Sequence, residues 1–390
     1  MLGYIGVAHD AGYAMRENSA RAYALAPGDG RVTGSYAQAL LGADATSADW
    51  TRAERLARQA LRQDPTAVAA VSTLGLGALN RGDATGARRL FAYSERLSRR
   101  DLQTQISDIE DAVSRGDVPR ALRHYDIALR TSRNAPALLF PILAGAIVNP
   151  SVRAALVATL VRQPAWAPHF ISYAAGEGSE PKATARLFAD LRRARVSVPG
   201  TASVALVDRL VGANLFDEAW SYYATIRSGV DRYTLRDPSF AGPGIAGDST
   251  ASTFDWQLVD TPGITVSTQR GEGRGVVDFA APPGIGGPLL RQTQMLLPGT
   301  YRLEGHATGI DQPEAAALPY WSLECRDGRE LGRIVVPPSR TANGVFAGQI
   351  FVPADCPVQT LSLVARSSDA MTGVSGQIDR VRILPFRPTS

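Results

Sequence analysis

LGLGALNRGDATGARRLF, residues 74–91, decides the reading of the first half of the chain. Leu74-Gly75 stands about one helix length before Ala87, and Phe91 follows Ala87 by four residues. The spacing recurs. Ala53, Ala87 and Ala121 are 34 residues apart, Tyr125 follows Ala121 by four, and Ala60 and Ala128 lie seven after Ala53 and Ala121. A period in this range marks a stacked array of small units rather than one continuous domain. The small alanine lets two helices meet at close range, and the aromatic one turn later, on the same face, fills the gap to the next unit. Pro65 ends the first of these units, and Pro27, after Ala22, ends an earlier one; proline cannot continue a helix.

The pattern resembles the tetratricopeptide repeat, with Leu-Gly in helix A, Ala-x-x-x-Phe in helix B and a closing Pro. The resemblance runs from about residue 10 to residue 133 and implies an α-solenoid. Val71 and Gln105 stand where helix A usually carries tryptophan, and Arg99 and Arg133 replace the closing proline. It further implies a concave groove, lined by helix A residues such as Asn80 and Glu110, that takes a protein partner.

Repeats are assigned to residues 1–148, and further degenerate helical repeats to residues 149–235. Asn149-Pro150-Ser151 marks the boundary, with Ser151 as N-cap of a helix to Val161. Helices are expected over 181–195, 201–211 and 217–227, where Ala219 and Tyr223 repeat the Ala-x-x-x-aromatic spacing.

Residues 236–253, RDPSFAGPGIAGDSTAST, are rich in Gly, Pro and Ser without a period and read as a linker. From 254 to 386 the pattern changes to ten short alternating runs, among them ITVSTQ, GVVDFAA, TYRLEGHAT and TLSLVARS. Pro298-Gly299, Asp327-Gly328 and Asn343-Gly344 supply turns, and Asp327-Gly328 is a tight-hairpin signal. So many short strands predict a two-sheet antiparallel β-sandwich, giving a multidomain chain that is α first and all-β second.

Pro298-Gly299-Thr300-Tyr301-Arg302-Leu303, with Gln377-Ile378-Asp379-Arg380-Val381 near the end, resembles the jelly-roll carbohydrate-binding modules and galactose-binding-like domains. The order of repeats followed by this module also resembles envelope-associated repeat proteins of alphaproteobacteria, several of them connected with surface polysaccharide. These resemblances imply a non-enzymatic envelope scaffold whose sandwich binds a surface polysaccharide.

Cys325 and Cys356 both fall in the β region. They favour a disulfide over two unpaired thiols, and with it an oxidising, periplasmic or envelope location over a cytoplasmic one. No stretch reaches the ~20 apolar residues of a membrane span; residues 138–148 come nearest and contain Pro141. The start lacks secretory-signal character, so an envelope location requires a targeting segment outside this sequence, and membrane contact an anchor outside it. A net charge of +4 over 390 residues, almost all of its cations arginine, is too mild to indicate nucleic acid.

No catalytic constellation is visible. His9, His124, His169 and His306 form no metal-ligand spacing, and His124 reads as a helix-surface residue. Gly271, Gly273 and Gly275 precede a strand, which suits a hairpin rather than a phosphate cradle. Asp108, Glu110 and Asp111 read as a solvated helix face; as paired acids they would suit a polysaccharide hydrolase or lyase, the alternative to binding. A cytosolic adaptor without glycan binding is the other alternative. No cofactor is expected, and structural calcium is limited to Asp379.

Recognition is expected on the sandwich. Adjacent Tyr320 and Trp321 point to opposite faces of a strand, one into the core and the other outward. With Trp256 and Arg326 they are the candidate ligand-binding residues.

Overall fold

A computed structural model describes residues 18–42, 44–242, 250–271, 274–311, 317–367 and 373–386. Among the described residues there are thirteen α-helices followed by ten strands in two antiparallel sheets, an α unit and then an all-β sandwich. Chain contacts divide it into two compact units, Met1–Ser197 and Val198–Ser390. His9 and Gly273 lie outside the described residues.

The first unit contains α1 (Ser19–Leu25), α2 (Gly30–Ala39), α3 (Ser47–Gln63), α4 (Val68–Asn80), α5 (Ala84–Leu97), α6 (Leu102–Ser114) and α7 (Val118–Thr131). It continues with α8 (Ala135–Ala146), α9 (Pro150–Leu160), α10 (Ala167–Gly176) and α11 (Pro181–Arg193). Helices α2–α3, α4–α5 and α6–α7 pack as successive pairs. The three alanines of the 34-residue period sit in the second helix of each pair and are buried.

The turn inside a pair has its own chemistry. Gly82 and Gly116 adopt φ of +78° and +70°, which glycine takes without steric cost. The next residues, Asp83 and Asp117, cap α5 and α7 by accepting from Gly86 N at 2.8 Å and Arg120 N at 3.1 Å. These glycines and aspartates keep the same 34-residue spacing.

Two expectations change in this unit. A Cβ on Gly75 would stand 2.8 Å from the Phe91 ring, so Phe91 fills space against the first helix of its own pair rather than reaching toward the next. Asn149, not Ser151, caps α9, its Oδ1 accepting from Ser151 N at 2.9 Å, with Pro150 as the first helical residue. No described helix is long and apolar enough to cross a membrane.

The second unit opens with α12 (Gly200–Gly212) and α13 (Phe216–Ile226), so the last two helices belong to the compact unit that holds the sandwich. The strands are β1 (Gln257–Leu258), β2 (Thr265–Gly271), β3 (Arg274–Ala281), β4 (Gly287–Gln294), β5 (Gly299–Thr308), β6 (Tyr320–Cys325), β7 (Glu330–Val335), β8 (Val345–Val352), β9 (Gln359–Ala365) and β10 (Val374–Pro385). One sheet runs β1-β4-β9-β6-β7 and the other β2-β3-β10-β5-β8. Inward-facing residues of both sheets enter a shared core that includes Trp256, Phe279, Leu303, Trp321, Phe346 and Val381. Strands β2 and β3 form the expected hairpin, and Gly328, at φ +87°, turns β6 into β7.

The segment 236–253 is more than a linker. Arg236, Phe240 and Ser252 are buried, while residues 243–249 lie outside the described set. Arg236 donates through Nε to Phe254 O at 2.8 Å and through a terminal nitrogen to Thr293 O, and its guanidinium lies over the Trp220 and Phe254 rings. Burial lowers its pKa to about 10, which keeps it charged at neutral pH. Asp255 is held by Arg227 at 3.2 Å and by the Tyr223 hydroxyl at 2.9 Å, tying α13 to the entrance of the sandwich. Cys325 and Cys356 form a disulfide between the end of β6 and the loop after β8, across a separation of 31 residues.

Candidate functional site

Strand register brings residues far apart in sequence onto one outward face. Gln257 pairs with Arg291, Arg291 with Ser362, Ser362 with Ser322, and Ser322 with Arg333. Five polar residues therefore form one row across all five strands of the β1-β4-β9-β6-β7 sheet. At the usual ~4.8 Å between strands, the arginines at positions two and five are roughly 14 Å apart. Arg291 and Arg333 are exposed, Ser362 and Gln257 half-buried, and Ser322 buried.

Tyr320 flanks this row, two residues from Ser322 on the same face. Arg333 lies over its ring at 4.0 Å from the centroid, and Arg366 at 4.9 Å. A flat aromatic face holds guanidinium groups by cation–π attraction and fixes their planes. Arg333 also pairs with Glu330 at 2.8 Å, and the resulting hydrogen bond raises its pKa. Arg366 Nε is buried without a hydrogen-bond partner among the described residues. On the other flank Glu324 accepts from the Ser322 hydroxyl at 2.9 Å. Arg291 donates to Gln257 Oε1 at 3.1 Å. The face thus carries three guanidiniums, the Ser362 hydroxyl and one aromatic ring. Its two carboxylates, Glu324 and Glu330, are already engaged by Ser322 and Arg333, leaving a net excess of donors suited to oxyanions.

The other expected ligand residues are placed elsewhere. Trp321, fully buried, faces the core opposite Tyr320, as adjacent strand residues must. Trp256 is 1% exposed, packs at a tilt against Trp321 with ring centroids 5.8 Å apart and donates Nε1–H to Asp237 O at 2.9 Å. Neither tryptophan can stack on a ligand. The aromatic that meets the last helices is Phe254, against Trp220 and Tyr223. Arg326 is exposed in the β6–β7 turn but donates to Val211 O at 2.9 Å and lies over Phe216, so it caps the C-terminal end of α12.

Asp379 sits at the register shift of β10, where its carboxylate meets His306 Nδ1 at 2.8 Å. Among the described residues it belongs to no group of three or more side chains placed to hold a metal ion. Asn80 and Glu110 are exposed on α4 and α6, as the groove expectation requires of each alone.

His124 and Asp108 depart from the surface expectation. His124 is 2% exposed, with Nδ1 at 2.8 Å from Gln105 Oε1, and Asp108 is 8% exposed. Of the acidic run, Glu110 alone is fully exposed. A helix with a mixed face hides which polar residues turn toward its neighbour. The glutamine at the position where the repeat pattern carries an aromatic is the one signal of a polar interface here.

No protein-family model matches the chain, and no curated protein matches it significantly. Among solved structures, similarity is found to a glycosylation-associated protein complex from Streptococcus agalactiae, at 10% identity over 32% of this chain and 39% of that one, with TM-score 0.22. A xylan-binding domain from Paenibacillus barcinonensis is similar at 14% identity over 41% of this chain and 100% of that one, with TM-score 0.27. The enzymatically active domain of a tailspike protein of bacteriophage CBA120 is similar at 14% identity over 38% and 21%, also at 0.27. Similarity this low neither places the chain in a family nor assigns it a ligand.

Proposed function

We propose that this protein is a non-enzymatic scaffold whose sandwich binds an acidic polysaccharide along the Gln257–Arg291–Ser362–Ser322–Arg333 row. That row carries the reading. Arginines a few sugar units apart suit carboxylates or sulfates repeated along a chain, the half-buried Ser362 between them suits a hydroxyl, and Tyr320 packs against the guanidiniums of Arg333 and Arg366. Turnover is not part of the proposal: Glu324 is engaged by Ser322, and Glu330 is neutralised by Arg333.

The disulfide points to an oxidising, non-cytoplasmic compartment. We place the protein in the periplasm or envelope, where acidic surface polysaccharides pass. On the helical side, Leu79 and Val113 recur 34 residues apart and are 42% and 61% exposed. With Asn80 and Glu110 nearby in sequence, they support a protein partner there.

The test is binding of the full chain to acidic and neutral polysaccharides by titration calorimetry. Arg291→Ala and Arg333→Ala, both at exposed positions, are each expected to weaken binding about 10-fold or more, the worth of one charged hydrogen bond. Binding of neutral glycans alone, or of acidic ones unchanged in both variants, contradicts the proposal.

A further inference from the structure

We propose that Glu95, Asp108 and His124 form a site for one divalent transition-metal ion of the zinc class, held between α5, α6 and α7. The three side chains each offer one ligand atom, and these atoms all lie within 4.8 Å of one another. Zinc bonds of ~2.0–2.2 Å set tetrahedral ligands roughly 3.4 Å apart, so the donors need to close by about an ångström. Water would complete the shell.

One buried acceptor lacks the partner that a purely structural network would supply: among the described residues Asp108 Oδ2 is buried without a hydrogen bond, 3.8 Å from His124 Nδ1. Orphaned polar atoms at such depth are uncommon and costly.

The neighbouring cations do not fill the gap. Arg123 reaches Glu95 at 3.4 Å and Arg120 reaches Asp108 Oδ1 at 3.8 Å, both from half-exposed positions. Arg88 and Arg115 are spent on Asp111 Oδ1, at 3.5 and 2.7 Å. None donates to Asp108 Oδ2.

The chemistry of the donors selects the ion. Calcium takes six to eight oxygens and magnesium keeps most of its water, whereas one imidazole with two carboxylates suits zinc and its first-row neighbours. Gln105 Oε1 accepts from His124 Nδ1 at 2.8 Å, which fixes the tautomer and leaves Nε2 to ligate. A bound dication would supply the partner that the buried Asp108 Oδ2 lacks. It would also staple α5 of one helix pair to α6 and α7 of the next, where Gln105 replaces the usual aromatic.

The experiment uses the full chain, stripped with chelator and dialysed against zinc, manganese or calcium, with metal content and thermal midpoint measured together. One zinc per chain is expected at micromolar free zinc, with a raised midpoint for the helical unit and no calcium retained. Glu95→Gln, a nearly isosteric change at a partly buried position, and His124→Gln are expected to weaken retention at least about 100-fold and to abolish the shift. Should the buried histidine variant fail to fold, Glu95→Gln decides alone. No zinc retained by the wild type, or equal zinc retained by Glu95→Gln, overturns the site.

Discussion

The helical unit and the sandwich meet the same requirement by opposite means. The helical pairs close on small residues, with Ala53, Ala87 and Ala121 buried and Gly75 lying against Phe91. The sandwich closes on large ones, with Trp256, Trp321, Phe240 and Phe279 buried inside and a disulfide joining β6 to the loop after β8. Close backbone approach leaves little room for error at a glycine, whereas a large-side-chain core concentrates its stability in a few residues.

Removing one of those residues is expected to have the largest effect. Trp321→Ala should destabilise the sandwich by about 3–5 kcal/mol, the cost of a buried aromatic. Hydrogen exchange in β6 and β9 should accelerate, while α4–α7 stay protected; equal loss in both would erase the contrast.

Next comes the disulfide. Replacing Cys325 and Cys356 by serine should cost about 3–4 kcal/mol on the loop-entropy model. The denaturant midpoint of the sandwich should fall and that of the helical unit stay in place.

Gly75→Ala probes the other mode. The added methyl meets the Phe91 ring, and overpacking of this kind costs about 1–3 kcal/mol. Phe91→Leu in the same chain should recover part of the loss; a neutral single variant would show that the helices can separate freely.

The smallest effects are at the helix caps. Thr46→Ala removes the capping box of α3 and should cost about 1 kcal/mol. Hydrogen bonds from Thr46 hold the Asp49 carboxyl below its usual value near 3.8. A depressed folded pKa contributes stability above the unfolded value that is lost as pH falls through the folded one. Exchange in the first turn of α3 should therefore rise in the wild type below about pH 4, and the Thr46 variant, which keeps only the backbone N–H bond to Asp49, should show a weaker acid dependence.

The architecture was legible because both halves carry strong local patterns, a 34-residue period and short alternating runs between turn signals. The ten strands fall on the ten alternating runs, and the two cysteines are paired. Alternation placed Tyr320 and Trp321 on opposite faces but could not say which faced outward, since that depends on the second sheet. The polar row was illegible for a related reason. It needs the register of β4 and β9 against the β6–β7 hairpin, and these three parts are distant in sequence. His124 and Asp108 looked like surface residues because a helix displays its polar residues without saying which neighbour covers them. Arg236 looked like linker because its partners, Phe254 O and Thr293 O, are backbone groups with no sequence signature. The Gly82-Asp83 and Gly116-Asp117 turns were readable and supply the clearest additional repeat signal.

The central claim is that recognition lies on the outer face of the sandwich. Hydrogen exchange of the full chain with and without an acidic oligosaccharide tests it most directly. Protection confined to β4, β6, β7 and β9 and to the Arg366 segment is the predicted result. Protection on the other sheet or on α4 and α6, with none around Tyr320, would contradict it.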